Sequence, residues 1–183
     1  DLRMIGEAVD EFKGEAPDTH AELRLELPVD ARIPDEYIAS ERLRLEAYQK
    51  LSSAASAAAK PGQIDLVIEE LHDRYGAAPE QVQTLITVSR IRRMASLHGM
   101  NEVVAMGKVL RIAQVTLPDS KQVRLQRMYP QAKYQDAAPI LTVPLPQASR
   151  PGQTVSDGEF LEWLLGFFRA IFDATPDAAE QEE

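Results

Sequence analysis

Cysteine is absent from this 183-residue chain, which excludes disulfides and thiolate metal sites and fits a reducing compartment. Aromatics are sparse at 6%, with a single tryptophan. No run of some eighteen apolar residues occurs, so no transmembrane helix is expected. The opening "DLRMIGEAVDEF" has neither a basic-then-apolar leader nor an initiating methionine, and a segment of a longer protein is expected. The phosphate-cradling G-x-x-x-x-G-K-[ST] loop, the G-x-G-x-x-G turn and the G-x-S-x-G elbow are all missing, which excludes nucleotide binding through a P-loop. Positive charge is in deficit, with 20 Lys and Arg against 29 Asp and Glu, a net charge of -9. Such a surface repels nucleic-acid phosphate on average and suits a basic protein surface better.

What is present can build a core. Apolar types make up 44% of the chain and charged residues 27%, enough for one sizeable core or two small ones. Leu2, Ile5, Val9 and Phe12 fall at helical spacing, giving a leading helix within residues 1–14. "ELRLELP" alternates Leu23, Leu25 and Leu27 with charged residues, the pattern of a half-buried strand. Ile33, Tyr37 and Ile38 dock the following turn-rich connector. Ser40 is an N-cap for a helix through Leu43, Ala47 and Leu51 into the alanine-rich "SSAASAAA", where little burial is expected, and Pro61-Gly62 ends it.

Residues 63–98 read as a helical hairpin. Ile64, Ile68, Leu71 and Tyr75 share one helical face that stops at Gly76, a glycine C-cap. Pro79 opens a longer helix carrying Val82, Leu85, Ile86, Val88, Ile91, Met94 and Leu97, with Gly99 as its stop. "EVVAMGKVLRIA" reads as two strands around a Gly-Lys turn. "LPDSKQVRLQRMYP" alternates at Val123 and Leu125 like a strand, yet Asp119 or Ser120 can cap a short helix holding Val123, Arg127 and Met128; the helix is preferred. Prolines confine "PILTVPLP" to a sheet edge. Ser156 and Glu159 have capping-box spacing ahead of "FLEWLLGFFRAIF", the most apolar helix, where Phe160, Trp163, Leu164, Phe167, Phe168 and Ile171 serve packing. Residues 173–183 form an acidic tail whose composition predicts disorder. The fold class is α+β, with helices around a small antiparallel sheet and residues 1–172 forming a single domain.

Two candidate chemistries lie in "EELHDRYGAAPEQ", residues 69–81. Adjacent His72 and Asp73 on a helix are what HD-type metal hydrolases use, but only His20 and His98 remain to complete a ligand set. Glu70, Asp73 and Arg74, spaced by three and four, share the helix face opposite Ile64, Ile68, Leu71 and Tyr75. That face is either a solvated surface with one Glu70–Arg74 pair or a charged docking surface. Arg90, Arg92 and Arg93 are a candidate phosphate contact for a nucleic-acid-binding module, against the plainer reading of a solvated helix face.

The ordered series Glu70-Leu71-His72-Asp73-Arg74-Tyr75-Gly76, Pro79 and Leu97-His98-Gly99 resembles the C-terminal domain of the bacterial transcription-repair coupling factors. "GEAVDEF", "LRLELPVDARIPDEYI" and "ERLRLEAYQKL" agree with it. The resemblance covers residues 1–99 and is looser over 100–145. It implies a cytoplasmic bacterial protein whose ATP-driven DNA translocase motor lies outside this segment. It also implies a monomeric regulatory domain without catalysis, cofactor or metal. That domain would dock on an N-terminal UvrB-like module and mask the surface recognised by UvrA until RNA polymerase engages. In the family pattern Glu70, Asp73 and Arg74 are the docking residues. No direct nucleic-acid or membrane contact is implied.

Overall fold

The computed structural model describes residues 23–174; the predicted leading helix and most of the acidic tail lie outside them. Among the described residues the order is β1 (Arg24–Glu26), α1 (Glu41–Ala54), α2 (Gln63–Tyr75), α3 (Glu80–Leu97), β2 (Glu102–Met106) and β3 (Val109–Ala113). Then follow α4 (Asp119–Met128), β4 (Lys133–Gln135), β5 (Ile140–Pro144) and α5 (Asp157–Phe172). The fold is α+β, as expected.

The sheet runs β1-β2-β3-β5-β4. It is mixed rather than wholly antiparallel, because β1 lies parallel to β2. Parallel neighbours need a long crossover, and α1, α2 and α3 together provide it. β2 and β3 form the expected hairpin, pairing Met106 with Val109 around Gly107 at φ 60°, a conformation glycine adopts at no steric cost.

Two main apolar clusters form among the described residues, beside a small third one of Ala54, Ala55 and Ile64. The larger joins the sheet residues Val103, Leu110, Ile112 and Leu141 to Leu164, Phe167 and Phe168 of α5. The reciprocal capping box of α5 is present: Ser156 Oγ accepts from the Glu159 amide at 3.1 Å and the Glu159 carboxylate accepts from the Ser156 amide at 3.0 Å. The second cluster joins Ile33 and Ile38 of the connector to Ala47, Leu71 and Val82. Helix α3 belongs to both, giving Val82 to one and Ile91, Met94 and Ala95 to the other. The Asp30 amide also donates to Asp157 Oδ2 at 2.8 Å, tying the connector to the start of α5.

Several expectations need correction. Helix α1 is capped by Ser40 as predicted, but it ends at Ala54, not at Pro61-Gly62. Ala54 and Ala55 are buried rather than peripheral. They pack with Ile64 of α2, and the turn beyond them lies against Arg93, only 4% exposed. Its Nη1 donates to the Ser56 carbonyl at 2.6 Å and the Ala59 carbonyl at 3.0 Å. The alanine-rich segment leaves the helix in a turn whose Ser56 carbonyl accepts both from the Ala59 amide at 3.1 Å and from Arg93, so the turn supplies acceptors to a buried cation. Helix α4 exists, but Pro118 is its N-cap and Leu125 is its buried residue, while Val123 is 62% and Met128 46% exposed. Leu97 is also exposed.

Strand β5 is interior, between β3 and β4. Leu145 donates to the Lys108 carbonyl at 2.9 Å. Successive peptides alternate sides, so the missing N–H of Pro144 faces away from β3. On that side β4 reaches only as far as Thr142, and no ladder bond is lost. Ordered structure also continues past the predicted start of the tail. Asp173 caps α5 and pairs with Lys121 at 2.8 Å, and Ala174 is buried.

Leu71→Ala and Phe168→Ala, one in each main cluster, are each expected to lower unfolding stability by ~2–5 kcal/mol, read from denaturant midpoints. Arg93→Met should cost ~1–3 kcal/mol by removing the arginine donor from the half-buried Ala59 carbonyl and one of the two donors from the Ser56 carbonyl. It should also raise amide exchange selectively over residues 55–60.

Candidate docking site

The site is built on the last two turns of α2. Leu71 anchors the helix in the second cluster, which turns Glu70, Asp73 and Arg74 outward as the helical wheel requires. Gly76 at φ 87° ends the helix, its amide donating to the His72 carbonyl at 2.9 Å. The Tyr37 hydroxyl comes from the connector and lies 2.8 Å from the Gly76 carbonyl and 3.2 Å from the Leu71 carbonyl, sharing its proton between them. Tyr37 also packs on Tyr75 with ring centroids 5.7 Å apart, and burial raises its phenol pKa. The carbonyls that a helix end leaves open are thereby occupied, and the charged side chains project from a fixed backbone.

Lys50 of α1 donates from Nζ to Glu70 Oε2 at 2.7 Å, and Arg74 Nη1 donates to the same oxygen at 3.4 Å. The lysine hydrogen bond, and then its charge and those of Arg74, hold the Glu70 carboxyl below the usual glutamate range. The Arg74 guanidinium also lies 5.2 Å over the Tyr75 ring. Asp73 and Glu69, four residues apart, are exposed and have no ion-pair partner among the described residues. Two like charges on adjacent turns at the negative end of a helix dipole are both unfavourable. Sequence reasoning found the Glu70–Arg74 pair but missed Lys50, whose partner lies across the α1–α2 seam where no local spacing reveals it. It also missed the groove along that seam, about 710 Å³, with Glu70 on its rim.

The other candidates disperse. His72 and Asp73 are both exposed, and His20 lies outside the described residues. His98 sits at the far end of α3, with Nδ1 2.9 Å from the Met94 carbonyl and its ring against Phe172. Among the described residues no three His, Asp or Glu side chains gather as a metal site would need. Neither is the arginine run a solvated face. Arg90 pairs with Asp65 at 2.7 Å, Arg92 donates to the Leu23 carbonyl at 3.4 Å, and Arg93 is buried.

The TRCF domain family model matches residues 27–126, more than half of the chain and the whole of this site. This chain belongs to the TRCF domain family. Its relatives include the transcription-repair-coupling factors of Mycobacterium bovis and Mycobacterium tuberculosis. Each is 37% identical over 183 residues, covering 93% of this chain and 14% of the relative. The transcription-repair-coupling factor of Myxococcus xanthus is 33% identical over 124 residues, 66% of this chain and 10% of the relative. The chain thus spans about a seventh of the length of the mycobacterial relatives it matches. A crystal structure described as the C-terminal domain of transcription-repair coupling factor shares the fold. Its TM-score is 0.62 at 19% identity, covering 90% of this chain and 99% of that one. The TRCF domain here is therefore a domain of the transcription-repair coupling factor type. Among the described residues no helix is long and apolar enough to cross a membrane.

In this TRCF domain the folded Glu70 titrates below its unfolded value. The Lys50–Glu70 pairing therefore stabilises the fold above the ordinary glutamate range and fades as pH falls through the depressed value. Lys50→Met is expected to raise the Glu70 titration midpoint toward the ordinary range, as followed by carboxyl NMR. An unchanged midpoint would assign the depression to Arg74.

Proposed function

We propose that this TRCF domain is a regulatory, non-catalytic element of an ATP-driven DNA translocase that couples repair to transcription. It docks through Glu70, Asp73 and Arg74 on the N-terminal UvrB-like module of the same polypeptide and masks the surface that UvrA recognises. RNA polymerase engagement releases it. The domain acts without a cofactor of its own, inside the bacterial cytoplasm.

The observation that carries this reading is the outer face of α2. Its backbone is fixed by Leu71, Gly76 and Tyr37, yet Asp73 has no ion-pair partner among the described residues, and Arg74 spends only one weak ion pair on Glu70. A charged face suits a clamp that must let go, because rim charges set register and specificity while a broad apolar face favours permanent association. Shifting such a clamp from about 1% to about 99% open takes ~5.5 kcal/mol of differential binding. Polymerase contacts elsewhere in the full-length protein are the source of that energy.

The test is the simultaneous replacement of Glu70, Asp73 and Arg74 by alanine in the full-length protein. Alanine favours the helix and removes two acids from its unfavourable end, so the fold should persist. UvrA capture without polymerase should rise, together with basal motor activity, by an amount reflecting up to ~2–5 kcal/mol removed from the closed state. His72→Ala should change neither. A folded triple variant that captures no more UvrA than wild type would sink the docking assignment.

A further inference from the structure

The chain carries 29 acids against 20 lysines and arginines, yet one helix has the opposite balance. Helix α4 places Lys121, Arg124 and Arg127 at intervals of three, and its only acid is Asp119. By the helical period the two arginines lie together on its outer side, between the exposed Val123 and Met128. Arg42 and Arg90, on other helices, each have a carboxylate within reach, at 2.8 and 2.7 Å. Arg124 and Arg127 have no ion-pair partner among the described residues. The Nε of Arg124 is also shielded from solvent without a hydrogen-bond acceptor, an unmet demand that an anion would satisfy.

The acidic end of the chain leads to this face. Asp173, the C-cap of α5, sets its carboxylate 2.8 Å from Lys121 Nζ. That hydrogen bond and the lysine charge hold the Asp173 carboxyl below the usual aspartate range, and Arg124 and His98 pull weakly in the same direction. Ala174 is buried in the sheet cluster, so the chain leaves the core next to Lys121. Residues 175–183, "TPDAAEQEE", lie beyond the described residues and carry Asp177, Glu180, Glu182 and Glu183 with no cation. Nine residues span up to ~30 Å when extended, whereas the ten residues of α4 span ~15 Å. The segment is long enough to pass both arginines.

We infer that the outer face of α4 is a binding site for an acidic peptide, and that residues 175–183 of this chain are its occupant. Lys121 holds the start of the segment through Asp173, and Arg124 and Arg127 take the carboxylates that follow. Ala178 and Ala179 are small enough to let the segment lie close to Val123 and Met128. Exposed ion pairs are individually weak. A tethered segment, however, is present at an effective concentration of about millimolar, and its pairs act together. The face is thereby closed to other anions, and an acidic segment of another protein must displace the tail to reach the arginines. This site is separate from the outer face of α2, and neither depends on the other.

The test is zero-length carbodiimide cross-linking of the full-length protein, which joins a carboxylate to an amine in contact with it. Arg124→Lys and Arg127→Lys keep the charge and introduce amines on the face. The Lys121–Asp173 pair should cross-link in every case and scales the yields. Carboxylates of residues 177–183 should join the introduced amines about 10-fold more often than Lys60, exposed in the α1–α2 turn, because the tether holds them on α4. At ~1 M salt, where the Debye length is ~3 Å, these links should fall several-fold. Deleting residues 175–183 leaves Asp173 and Ala174 in place and should free the face. In the Arg127→Lys background, added synthetic peptide TPDAAEQEE should then be captured about 5-fold more by the deleted protein than by the intact one. Tail links that are absent, or as frequent to Lys60 as to α4, would overturn the inference. Equal capture of the peptide by the two proteins would also overturn it, since the tail would not be occupying the face. In a mixture of isotopically light and heavy protein the links should fall within one molecule. Links between light and heavy molecules would give the face to a second copy and overturn the tail as occupant.

Discussion

A guanidinium withdrawn from water must find acceptors inside the protein, and in this domain Arg93 finds them on the turn between α1 and α2. The Ser56 and Ala59 carbonyls offset part of the cost of burying that charge by pointing toward it. The turn that supplies them has left the helix, although its sequence is rich in alanine. The same residue sits on α3, where the helix passes from the connector cluster to the sheet cluster. Holding the turn places the chain entering α2, while Leu71 in the second cluster sets which way its last turns face. The helix that carries Glu70, Asp73 and Arg74 is thus held at its start by an arginine of a different helix.

Electrostatics on α2 are arranged unevenly. Glu70 has two cations on a single oxygen, while Asp73 and Glu69 have none among the described residues. Exposed pairs of this kind add little to stability, so the pairing matters more for where the carboxylate points than for how firmly the domain folds. An unpaired acid four residues from another is a small local cost. It is tolerable because Leu71 and Tyr37 hold the helix by packing and hydrogen bonding that do not depend on those charges.

Local chemistry was legible in the sequence and long-range partnership was not. Ser40, the Ser156–Glu159 box, Gly76 and the Gly107 turn announce helix ends and a hairpin because each acts on neighbours within a few positions. The outward face of Glu70, Asp73 and Arg74 follows from the helical period alone. Strand β4 is three residues, too short for its alternation to stand out. The interior position of β5 depends on which way one proline nitrogen points. Arg93 reads as a surface residue until the carbonyls opposite it are known. Lys50 and the groove arise where two helices meet, and neither helix carries a mark of the other. The face of α4 differs from its pattern because Val123 and Met128 look like core residues, and Leu125 alone is buried.

The parallel pairing of β1 with β2 sets a condition on how this domain comes into being. Arg24 finds Glu102 only after three helices have been made, whereas β2 and β3 meet across a two-residue turn. Long-range pairing of this kind is slow to form, and on the ribosome the first strand must wait, unpaired, for the second to emerge. A strand in waiting is a hazard to other chains, and its brevity and alternate charges, Arg24 and Glu26, are features that discourage a wrong partner. Its three residues form one edge of the sheet, so pairing them closes the longest loop between neighbouring strands and carries the largest loop-closure cost.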